Sequence, residues 1–207
     1  MPHPKLNSYG TVCYNSKSRI IFTFPSITFS PGLLETTHLY YIQMNEIRED
    51  SNILIENISP RLKKVLVKRE LKQNNLLEME LEHPLKKDCF RNFNSSLLNS
   101  KIHLTNHFGT PFLESIAMNI PTVLFLSNYK DYLKEDVIEI FEELQNTKII
   151  FDNPKTASEH INFYYNNIDA WWLKDSTQKA LSKFKLKFCD HNLNWKNIWV
   201  KELLKSD

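Results

Sequence analysis

Glycine is nearly missing from this chain, at three of 207 residues. Phosphate-cradling loops of the G-x-G-x-x-G or G-x-x-x-x-G-K-[ST] kind need several glycines close together, and neither pattern occurs. Cysteine is equally scarce. Cys13, Cys89 and Cys189 are odd in number and far apart, without a C-x-x-C pair, so a zinc ribbon or dithiol site is excluded and idle thiols are the reading. The opening residues 1–6 lack the apolar stretch of a secretory signal, and the clean apolar runs nearby are too short to span a bilayer, so a cytoplasmic location is expected. An excess of one charge is lacking as well: 26 basic against 24 acidic side chains leave no electrostatic footprint for nucleic acid. No D-x-D acid cluster, solenoid repeat or low-complexity tract occurs.

What is present belongs to a folded protein. At 42% hydrophobic, 24% charged and 12% aromatic residues, the chain can bury a core, and its length suits one unit. Residues 19–25 form a β-branched and aromatic run stopped by Pro25, which reads as a buried strand after a loose lead-in over 1–18. Leu39, Tyr40, Ile42 and Ile47 permit a helix over 36–47, and residues 65–67 make a second strand. Residues 70–99, rich in Lys, Asn and Glu, read as loops with a short helix or two. The strongest pattern follows: strand over 101–106, turn over 107–110, helix over 111–119, strand over 121–126. Thr110 before Pro111 reads as an N-cap hydroxyl followed by proline at the first helical position. Such a unit pairs its strands in parallel with a right-handed crossover.

The alternation continues. Leu133, Val137, Ile140, Phe141 and Leu144 fall at helical spacing, residues 148–151 make a short strand, and 154–166 start as a helix. Ala180, Leu181, Phe184 and Phe188 form another stripe, and Trp195, Ile198, Trp199 and Leu203 suggest a last helix. The expected fold is α/β: a Rossmann-like parallel sheet flanked by helices over 19–207, with a helical C-terminal tail at 169–207.

Ligands of such sheets bind beyond the carboxyl ends of strands, which directs attention to Asn106, His107, Phe108, Gly109 and Thr110. Gly109 permits close backbone approach. The helix that follows offers unpaired N–H groups and a partial positive charge to a diphosphate, and Glu114 lies one turn further in, where it could accept from a ribose. From spacing alone the plainer reading is preferred, with Thr110 as a cap and Glu114 as a first-turn acid.

Residues 104–125, from Leu104-Thr105-Asn106 to Val123-Leu124-Phe125, resemble a family of bacterial transferases of surface-carbohydrate biosynthesis. The likeness continues through Phe141-Glu142-Glu143-Leu144, Asn153-Pro154, Asp169-Ala170-Trp171-Trp172 and a helix over 178–188. It covers residues 60–190 well and 19–25 more weakly. The resemblance implies the C-terminal half of a GT-B-like glycosyltransferase, which holds the nucleotide-diphosphate sugar donor. By that resemblance Gly109, Thr110 and Glu114 contact the donor, Arg69 reaches phosphate across the cleft, and Asn106 and His107 are weaker members of the set. No catalytic residue, metal or cofactor is implied. Members of this type are much longer, so the chain is expected to be incomplete alone: a truncated remnant, a fragment of a split gene, or a subunit whose acceptor half another chain supplies. The alternative is a non-catalytic interaction module or a vestigial fragment.

Other pairings carry less. His103 and His107 are four apart, yet fall on a strand and turn rather than a helix face, which disfavours a metal pair. Cys89 near His83 lacks a third group or oxyanion device. Trp171-Trp172 reads as a core anchor before a sugar platform. Lys179, Lys183, Lys185 and Lys187 read as a solvated helix face, with peripheral contact to a membrane left open.

Overall fold

A computed structural model describes residues 17–25, 37–69, 81–189 and 195–204. Its centre is a six-stranded sheet of β1 (Ile20–Thr23), β2 (Leu66–Arg69), β3 (Lys86–Lys87), β4 (Ile102–Thr105), β5 (Thr122–Phe125) and β6 (Ile150–Phe151). All pairings are parallel and the order is β3-β2-β1-β4-β5-β6. Helices α1 (Thr37–Asn57), α2 (Pro60–Lys63), α3 (Phe93–Leu98), α4 (Thr110–Ala117), α5 (Glu135–Asn146), α6 (Pro154–Tyr164), α7 (Asp169–Trp172), α8 (Asp175–Phe188) and α9 (Trp195–Leu203) connect and follow the strands. The Rossmann-like α/β expectation therefore holds. The lead-in over 1–16 and Cys13 lie outside the described residues.

Period-two alternation sorts the strands onto two faces. Ile20, Phe22, Leu66 and Leu104 join Leu54 and Ile55 of α1, Ile58 just after it and Ile161 of α6 in the larger core, while Ile21 and Val67 meet Leu97 of α3 with Met118 and Ile120. Four-residue strands span about 13 Å, whereas the 21-residue α1 spans about 31 Å, so the helix outruns the sheet it covers. Its length exceeds the expected 36–47 because Arg48, Glu49, Asp50, Ser51 and Asn52 interrupt the apolar stripe that Leu54 and Ile55 resume. Ser51 and Asn52 are buried nonetheless, facing polar partners instead of the apolar core.

Strand β3 had no apolar signal to announce it. Lys86 and Lys87 are both exposed on the sheet's edge, where lysine is tolerated and discourages pairing with another chain. Another correction concerns the start of α4. The cap is Gly109, whose carbonyl accepts from Phe112 N at 3.0 Å, and Thr110 is already helical and makes no side-chain cap bond. Pro111 thus falls one position later than expected, still inside the first turn where its missing N–H is harmless. Asn153 does cap α6, accepting from Lys155 N and Thr156 N at 2.9 and 3.2 Å.

Trp171 and Trp172 are core anchors, as expected: both are buried, and their indoles donate to Thr147 O at 2.8 Å and Asn119 O at 3.0 Å. Lys183 and Lys187 of α8 are exposed, in keeping with a solvated face, and pair there with Glu143 and Asp136 of α5. After α5 the chain turns at Lys148 with φ 64°, and Ile149 N closes the motif on Leu144 O at 2.9 Å. A Cβ is unfavourable in this left-handed region, so Lys148→Gly is expected to stabilise the fold by about 0.5 kcal/mol, read by urea denaturation.

Candidate functional site: the crevice between β1 and β4

Strand order reverses between β1 and β4, since the chain leaves β1 toward β2 on one side and β4 toward β5 on the other. Thr23 and Thr105 are register partners, so the carboxyl ends of the two strands lie side by side where helices diverge to opposite faces. That is the position at which open parallel sheets form a binding crevice.

The segment from β4 into α4 makes one wall. Phe108 is rooted between Phe112, Tyr129 and Phe141, with ring centroids at 6.1, 6.5 and 5.0 Å, which holds the turn against the body. A Cβ on Gly109 would sit 2.9 Å from Cδ2 and Nε2 of His107, so the absence of a side chain there lets the imidazole fold back. Thr105 Oγ1 meets His107 Nδ1 at 3.2 Å, and burial pushes that imidazole down to about 4. His107 is therefore neutral at pH 7. Thr110 is exposed at the first turn of α4, beside the N–H groups that a helix start leaves unpaired.

Asn106 is 1% exposed. Its Nδ2 donates to Ser51 Oγ at 2.9 Å, and Ser51 donates onward to Ile47 O at 2.6 Å, tying the end of β4 to α1. Among the described residues its Oδ1 has no partner, an acceptor left over at the end of β4. Nearby, Ser127 after β5 donates to Asp50 of α1 at 2.7 Å.

Two of the residues expected to contact a donor already have protein partners. Glu114 is buried within the α4 layer, where it is already engaged. Arg69 ends β2 beside Thr23, one strand from the crevice, but its fork turns toward β3. Nη1 donates to Asp88 Oδ2 at 2.5 Å and to Phe90 O at 2.9 Å, and Nη2 to Arg91 O at 3.3 Å. Asp88 also takes Arg19, Ser96 Oγ at 2.6 Å and Phe90 N at 3.3 Å. Burial alone would raise its carboxyl, yet the hydrogen bonds from Ser96, Arg19 and Arg69 outweigh it and hold the pKa below the usual value. A ligand phosphate would have to compete with that carboxylate for Arg69.

Sequence reasoning missed Thr23, Ser115 and the use of His103. Thr23 Oγ1 lies 2.8 Å from His103 Nε2, and His103 Nδ1 lies 2.8 Å from Ser115 Oγ. The available signal was polar residues on inward positions of central strands. Among the described residues no group of three metal-ligating side chains occurs, and no helix is long and apolar enough to cross a membrane.

The fold and strand order define a Rossmann-like α/β protein of the doubly wound kind. More specifically, the chain belongs to the LIC12162 family transferase, whose profile matches residues 1–203. No curated protein sequence matches it. Among solved structures it is similar to the wall teichoic acid polymerase TagF, with a TM-score of 0.47 and 14% identity over 98% of this chain and 45% of that one. A second TagF structure, of a substituted form soaked with CDPG, gives 0.44 and 13% over 98% and 44%. The chain thus spans less than half the length of TagF.

Proposed function

We propose that this chain is the donor-binding half of a GT-B-like glycosyltransferase of surface-polysaccharide synthesis. It takes a nucleotide-diphosphate sugar into the β1/β4 crevice, with the phosphates at the start of α4. The observation that carries the reading is the strand reversal, which delivers the end of β4 directly into a helix N-terminus, with Asn106 at the strand's end holding a buried acceptor that has no partner among the described residues. Gly109 and Thr110 present backbone N–H groups and a hydroxyl to phosphate, where the helix end favours negative charge. Asn106 Oδ1 accepts from a ribose or base donor, and neutral His107 lines the wall. In this arrangement Arg69 and Glu114 support the site from behind. Membership of a transferase family supports group transfer over simple storage of the ligand. The acceptor and the remaining reacting groups come from a second half, and the work is done on the cytoplasmic side.

Calorimetry with UDP, CDP, GDP and their sugar conjugates tests this. Saturable binding is expected, weakened about tenfold in Thr110→Ala through loss of one hydrogen bond to a charged group. A folded chain that binds none of the panel contradicts the reading.

A further inference from the structure

His103 lies on β4 with no exposed surface, and both ring nitrogens are occupied. Ser115 donates its hydroxyl hydrogen to Phe112 O at 2.9 Å, so its oxygen accepts from the ring and Nδ1 carries the proton. Nε2 is then the lone-pair nitrogen, and Thr23 donates to it. Phe93 closes the ring's flank edge-on at 5.7 Å. The bonds from Thr23 through His103 and Ser115 to Phe112 therefore run from the last residue of β1 to the first turn of α4, across the strand reversal.

We infer that His103 is a positioning residue: as the neutral Nδ1–H tautomer it fixes the spacing between the end of β1 and the start of α4, the two walls of the crevice. The inference rests on the proposed function for the identity of the ligand, whereas the clamp itself can be read without one. Its position is what distinguishes it from an ordinary buried histidine. A core histidine satisfied within one element would leave the crevice unaffected, but this one spans both walls. Thr23→Val removes the hydroxyl at nearly constant shape, and Thr23→Ser restores it.

The test uses the full chain labelled with 15N. The ring nitrogens of His103 are expected to show a proton on Nδ1. In Thr23→Val the amide signals of Gly109, Thr110, Phe112 and Leu113 should shift and exchange faster while those of α6 stay, and Thr23→Ser should match the parent. UDP or CDP affinity should fall about fivefold to tenfold in Thr23→Val and recover in Thr23→Ser. A proton on Nε2, or unchanged α4 amides in Thr23→Val, overturns the clamp, as does unchanged affinity where the parent binds. If the amide and tautomer results hold while the parent binds no nucleotide, the clamp stands and the proposed function falls.

Discussion

Stability is expected to fall steeply as pH drops below about 6.5, the ordinary histidine value. Burial, with the charge of His107 adding to it, pushes His103 down to about 3; burial pushes His107 down to about 4, and burial with nearby Lys148 pushes His160 down to about 4. The unfolded chain takes protons near 6.5 and the folded one only near 3 to 4, so the unfolded state binds more protons throughout that window. Stability is therefore complete above pH 6.5 and is lost as pH falls toward the folded values. Each histidine contributes at most about 1.4 kcal/mol per pH unit, and the three together roughly 4. Against a typical total of about 5–15 kcal/mol, unfolding is expected between about pH 5 and 4. Thermal melts across pH 4–8 check this, and a melting temperature that is flat down to pH 4.5 contradicts it. His160 offers an internal control. Its Nε2 is buried among Phe151, Tyr164 and Trp171 with no partner among the described residues, so His160→Leu should remove one proton from the slope and move the acid transition lower.

Asp88→Ala is expected to cost about 3–5 kcal/mol, because it leaves two guanidiniums facing one another in a partly buried pocket. The Asp88 side chain is 2% exposed, and those of Arg19 and Arg69 are 22% and 13%. The substitution also strands Ser96 Oγ and Phe90 N. Arg19 Nη1 has no hydrogen-bond partner among the described residues, and beyond Asp88 its guanidinium has the face of Phe90, 4.8 Å from the ring centroid. Urea denaturation at pH 7 reads the loss. A cost below about 1 kcal/mol would mean that the pairs are screened as surface ion pairs are.

The βαβ unit around Asn106 was legible because its strands are apolar runs and its helix begins with a threonine, proline and a helical stripe. That the sheet is parallel and flanked by helices followed from the same alternation. What escaped depended on partners distant in sequence. Thr23 and His103 are 80 residues apart, Arg19 and Asp88 are 69, and Ser51 and Asn106 are 55, so no local pattern joins them. Thr110 was misassigned as a cap because Gly109 has no side chain to advertise that role, although extended backbone at φ −151° and a carbonyl that accepts from Phe112 N and Leu113 N suffice for it. The resemblance implied a phosphate contact for Arg69, whereas its pairing with Asp88, 19 residues away, is visible only in the fold. The same distinction explains why the crevice could be located from sequence more securely than its contacts.

The central claim is that nucleotide diphosphate binds at the β1/β4 crevice. Titrating the 15N-labelled chain with UDP or CDP tests this directly. The largest amide shifts are predicted at Asn106 to Thr110, Phe112 and Leu113 and at Thr23 and Phe24, with little change on α6 or α8. Shifts that cluster at the β3 edge or on α9, or none at all in a folded chain, would contradict the account.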